Sequence, residues 1–126
     1  AHAAMDGRAI LTAVSPVVPD TLADSISVGI PRNRVKAWKY VAATGGSFIT
    51  AEDSAITEAI RLMGSKAGVF AEPSGAAALA GVRPALKAGL IGPESVVVVM
   101  VTGHGLKDPA AALKGVSLPD PIPPLA

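Results

Sequence analysis

Apolar residues recur at helical spacing through the middle of this chain and then crowd into one uninterrupted run near its end. In residues 53–67 Ile56, Ala59, Ile60, Met63 and Ala67 fall on one helical face. Thr50, with Asp53 three residues later, forms a capping-box-like start, and Gly68 can close the helix. An earlier helix is expected after Asn33, a plausible cap, with Val35, Trp38, Val41 and Ala42 on one face and Gly45-Gly46 ending it. Residues 1–11 read as a further helix with no visible start. Pro73 suits the first turn of a helix through AAALAGV, and Pro84 should kink or divide it. Asp108-Pro109 can start one last helix through Leu113.

The run VVVVMV at residues 96–101 has no alternation and ends abruptly at Thr102-Gly103-His104-Gly105. Such a run fits a strand covered on both faces, as in a parallel α/β sheet. Residues 47–49 look like a short strand, residues 69–71 are a short apolar segment, and residues 24–30 are small and β-branched. Residues 15–19, with two prolines, must be extended or looped. The alternation of helix and strand predicts an α/β fold: an incomplete three-layer parallel sheet with flanking helices. Only two or three strands are visible, whereas such sheets carry about five or six. A piece of a larger sheet accounts for this better than a complete domain. Ligands in such sheets sit beyond the carboxyl ends of strands, so residues 102–105 fall where a site is expected. An ordinary glycine turn after a buried strand is the competing reading.

Composition narrows the chemistry. Half of the 126 residues are hydrophobic but only 3% are aromatic, so the core must be built from Ala, Val, Leu and Ile. The formal charge is +1, and Arg32, Arg34, Lys36 and Lys39 suit a solvated helix face better than a nucleic-acid surface. Without cysteine there is no disulfide framework, thiol nucleophile or thiolate metal site. His2 and His104 are the only histidines and lie far apart, so no metal site is expected. No apolar segment approaches the ~20 residues of a membrane span, and the opening AHAAMDGRA lacks signal-peptide regions. A cytoplasmic protein without nucleic-acid or membrane partners is the expectation. The last ten residues hold four prolines and read as a tail.

Three stretches together resemble the threonine synthases, pyridoxal-phosphate (PLP) enzymes of the tryptophan-synthase-β-like fold. They are TLADSISVGIP (residues 21–31), GVFAEPSGAAALAG (residues 68–81) and VTGHGLKDP (residues 101–109). EPSGAAALAG is shared with threonine and serine dehydratases of the same fold; TGHGLKDP is the more specific motif. The resemblance covers most of this chain and about the last third of the enzyme. It implies that residues 1–116 are the carboxy-terminal part of the large domain, with residues 117–126 a proline-rich tail.

The family converts O-phosphohomoserine and water to threonine and phosphate. A lysine forms a Schiff base with PLP, whose ring is the electron sink. By the resemblance that lysine, in a phenylalanine-lysine-aspartate motif, and the glycine-rich phosphate cradle lie in the amino-terminal part, so this chain alone is expected to be inactive and to bind no cofactor. The missing amino-terminal part is thus an implied partner, in an enzyme expected to be a homo-oligomer. Leu106-Lys107-Asp108 looks superficially like the lysine motif, but it aligns with the carboxy-terminal one, which gives Lys107 a structural or surface role.

Thr102 matches the hydroxyl residue that hydrogen-bonds the pyridine nitrogen. A neutral hydroxyl does not hold that nitrogen protonated, and this suits elimination and replacement chemistry. Gly103 and Gly105 would let backbone approach the ring. Glu72 is implied to lie near the ring, and equally suits a helix start as a simple carboxylate. Ala23, Asp24 and Ser25 match the loop beside the ring. Ser74 is a helix cap or a ligand group, and His104 lines the turn. The cofactor-binding set is therefore Thr102, Gly103, Glu72 and Ala23, with no catalytic residue in this chain. A dehydratase of the same fold and a non-catalytic α/β binding module are the alternatives.

Overall fold

A computed structural model describes residues 13–114, 116–117 and 119–123. The helix expected over residues 1–11 lies outside them. Five helices are described: α1 (Arg34–Ala43), α2 (Asp53–Ala67), α3 (Pro73–Ala80), α4 (Val82–Lys87) and α5 (Pro109–Leu113). Two 3-10 turns, Asp24–Ile26 and Gly105–Lys107, complete the regular structure.

α2 follows its apolar spacing closely. Ile56, Ala59, Ile60 and Met63 are buried on one face, and Gly68 ends the helix in the left-handed region at φ 65°. A residue with a Cβ pays for that conformation, whereas glycine does not. Ala67, expected on the same face, is exposed. The buried face of α2 packs chiefly on α3, while α5 leans on α2 and the Asp24–Ile26 turn on α3. Ala23, Ala71, Ala76, Ala80 and Ala112 complete the core. The small side chains of α3, Ala76 and Ala80, receive the larger ones of α2, Ile56, Ile60 and Met63.

Several boundaries differ from the expectation for physical reasons. The chain divides at Gly81, and Pro84 sits in the first turn of α4, where its missing N–H costs no helical bond. Neither Asn33 nor Thr50 supplies a side-chain cap; Glu52 is the N-cap of α2. The Asp53 carboxylate is taken instead by a distant loop. Asp108 does cap α5, accepting from the Ala111 N–H at 3.0 Å.

The sheet is the main correction. Among the described residues there is no strand ladder, and the parallel sheet is not formed. The β pairing there is one isolated antiparallel bridge between Ala71 and His104. Residues 47–49 are irregular, with Phe48 62% exposed. The run at residues 96–101, expected to be covered on both faces, has Val96 96% and Val98 85% exposed. A strand is stabilised by hydrogen bonds to neighbours, and no described segment forms a ladder with this one. Among the described residues Val17, Ile26, Phe48 and Ile122 are exposed as well. Much apolar surface is thus left uncovered.

Candidate functional site

The bridge between residues 71 and 104 builds the site. The Glu72 N–H donates to the Gly103 carbonyl at 3.0 Å, and the Gly105 N–H to the Phe70 carbonyl at 2.9 Å. This clasp lays the Thr102–Gly105 turn across the start of α3. Pro73 occupies the first turn of that helix, and Glu72 is its N-cap residue. The clasp needs small residues at the crossing. A methyl on Gly75 would stand 3.1 Å from the Gly103 oxygen and 3.4 Å from the Thr102 nitrogen, while one on Gly103 would overlap the Glu72 carboxylate.

Glu72 is the centre of the arrangement. Its side chain is 5% exposed, yet both carboxylate oxygens have partners. Lys107 Nζ lies 3.0 Å from Oε1, and the Ser25 hydroxyl donates to Oε2 at 3.2 Å. Burying a carboxylate without partners would be costly, and a paired, hydrogen-bonded one is tolerated. Three chain segments, far apart in sequence, thus meet at one carboxylate.

The Ser25 segment is held in place from the other side. Asp53, at the start of α2, accepts from the Thr21 hydroxyl at 2.6 Å and from the Leu22 N–H at 2.8 Å. The Thr21 oxygen in turn accepts from the Ala23 N–H at 3.2 Å. These bonds, that from Thr21 first, hold the Asp53 carboxyl below its ordinary value of 3.8.

His104 is occupied structurally. Its Nδ1 accepts from the Leu106 N–H at 3.1 Å, and its ring meets Phe70 edge-on at 5.5 Å. The accepting Nδ1 leaves Nε2 to carry the proton of the neutral ring.

Beside Glu72 lies a cleft of about 420 Å³ lined by Asp24, Ser25, Glu72, Pro73, Ser74, Lys107 and Asp108. A larger groove, about 600 Å³, runs between α2, α3 and α4 over Ala55, Ala59, Leu62, Leu79 and Leu86. Its charged residues sit at the rim, where Glu58 and Arg83 pair at 3.7 Å. The convergent polar groups are in the smaller cleft, whose lining includes Glu72 but not Thr102 or Gly103. No group of three or more His, Cys, Asp or Glu suited to a metal occurs among the described residues.

Residues 2–103 match the family described as pyridoxal-phosphate dependent enzyme. The chain belongs to this family of PLP-dependent enzymes. Similar curated proteins include the threonine synthase of Methanocaldococcus jannaschii, 40% identical over 96 residues, or 76% of this chain and 24% of that protein. The threonine synthase of Mycobacterium leprae is 38% identical over 118 residues, 93% of this chain and 33% of that protein. That of Halalkalibacterium halodurans is 37% identical over 100 residues, 79% and 28% respectively. The chain therefore spans between a quarter and a third of the length of these relatives.

As a segment of a PLP-dependent enzyme, the chain brings Glu72 and Gly103 into contact, with Thr102 exposed on the adjoining residue. Ala23 is different: it is 1% exposed, its methyl in the core, and it is Asp24 and Ser25 that line the cleft. Sequence reasoning missed the Lys107–Glu72 pair and the Asp53 anchor. Each joins residues more than 30 positions apart, and only the small-residue pattern of PSGAAALAG hinted at the close crossing.

Proposed function

We propose that this chain forms the wall facing the pyridine nitrogen of the cofactor in a PLP-dependent threonine synthase. The reaction would be O-phosphohomoserine and water to threonine and phosphate, with the lysine that anchors the cofactor supplied by sequence outside residues 1–126. The observation that carries this reading is the Thr102–Gly103 turn clasped to Glu72, in a chain similar to threonine synthases over up to 93% of its length.

The residues fit one end of the cofactor. Thr102 offers an exposed neutral hydroxyl, the chemistry that meets a pyridine nitrogen without keeping it protonated. The cleft beside Glu72 suits the phosphate end poorly, because three carboxylates and one ammonium line it. The phosphate is accordingly assigned to another segment. When bound, PLP supplies an electron sink for carbanions at the substrate's α and β carbons. Thr102 would hold the ring nitrogen, and Gly103 would admit the ring against backbone. Glu72 would fix that backbone rather than exchange protons, since both its oxygens are engaged. Lys107 is paired with Glu72, which supports an anchoring lysine elsewhere.

The same reading gives residues 96–101 their role. In the complete enzyme they would be one strand of a parallel sheet, covered by segments from the other two thirds of the protein. Their exposure and all-apolar composition support this. We place the enzyme in the cytoplasm, as a homo-oligomer; no helix among the described residues is long and apolar enough to cross a membrane.

The test is to assay the complete protein, loaded with PLP, on O-phosphohomoserine and on threonine. Phosphate release with threonine formation is expected. Ammonia release from threonine alone would replace the synthase with a dehydratase, and neither activity would favour a non-catalytic module.

A further inference from the structure

Lys107 stands outside the role just described, yet its ammonium closes a ring of contacts. The clasp fixes Gly103 over Glu72 through the 3.0 Å backbone bond, and from Gly105 the chain turns through a single 3-10 turn to Lys107. Lys107 then returns to the Glu72 carboxylate at 3.0 Å. The two partners differ sharply in exposure, 59% for the lysine side chain and 5% for the glutamate. A lysine that served only solubility would extend into water. This one spends its rotamer freedom on a nearly buried carboxylate that rests directly against Gly103.

We propose that Lys107 is a positioning residue: by tying the Gly105–Lys107 turn to Glu72 it fixes the Thr102–Gly103 backbone, and with it the place of the Thr102 hydroxyl. Without the ammonium, Oε1 of the nearly buried Glu72 loses its partner, and the carboxylate must turn toward the adjoining cleft. Gly103, seated on that carboxylate with no side chain of its own, moves with it. The Ser25 bond to Oε2 holds only the far oxygen and does not replace the link to the turn. Lys107 acts through Glu72 and touches no reacting atom. The inference rests on the proposed cofactor site, because the hydroxyl it places is the one assigned to the ring nitrogen.

The experiment uses the complete protein titrated with PLP, reading the absorption band of the bound cofactor and its dissociation constant. Lys107→Met is expected to shift the band and weaken cofactor binding about tenfold, as for a coupled pair. Lys107→Arg, whose guanidinium can keep the ion pair, should restore both. In a Glu72→Gln background, Lys107→Met should change little further, because the pair is already broken. Circular dichroism of each variant separates a shifted turn from a misfolded protein. A Lys107→Met protein with the wild-type band and affinity overturns this inference and leaves the cofactor reading standing. So does full additivity of the two substitutions. A wild-type protein that binds no PLP overturns both.

Discussion

At Gly103 the absence of one methyl group decides whether the turn and the carboxylate can share their space. A Cβ there would overlap the Glu72 carboxylate, so Gly103→Ala should destabilise by about 1–3 kcal/mol, as overpacking does. Gly64, within α2, meets open space, and Gly64→Ala should stabilise by about 0.5–1 kcal/mol. Denaturant midpoints moving in opposite directions check the pair; equal shifts would remove the steric argument. Asp53 gives a prediction in pH. Its folded value lies below the unfolded 3.8, so its contribution is complete above about pH 4. The contribution is lost as pH falls through the lowered folded value. Asp53→Asn should therefore flatten the acid limb of the stability profile, and an unchanged limb would count against the anchor. Asp53 did not announce its partner: the sequence paired it with Thr50 in a capping-box-like start, whereas Thr21 is near only in space.

The helices were legible because their information is local. Ile56, Ala59, Ile60 and Met63 repeat at helical spacing and are buried as it predicts, while Ala67, on the same face at the helix end, is exposed. Ile60→Ala should cost about 2–5 kcal/mol by opening a cavity against α3, measured by thermal or denaturant unfolding; a negligible change would mean that the α2–α3 contact adds little. The α3–α4 break was half legible: Pro84 signalled it, but the proline settled in a first turn and the division fell at Gly81. The strand was legible as composition and not as structure. Six apolar residues can state that they want covering, but the partners that make a ladder lie at other positions, and among the described residues none pairs with the run. The site shows the same division. EPSG and TGHG marked Glu72 and Thr102, while the bonds from Ser25 and Lys107 that hold Glu72 depend on the folded path.

For the whole molecule, the uncovered run at residues 96–101 and the other exposed apolar side chains point to one behaviour in isolation. The chain of residues 1–126 should bind a hydrophobic dye and self-associate with rising concentration, and Val98→Asp should reduce both. A monodisperse monomer with little dye binding would show that this surface is covered after all. In the complete enzyme this chain would supply the ring wall and not the lysine. Reducing the complete PLP-loaded protein with borohydride and mapping the pyridoxyl group by peptide mass checks this division. A single modified lysine outside residues 1–126 is expected; a pyridoxyl group on Lys107, or on any other lysine of this chain, would overturn the proposal.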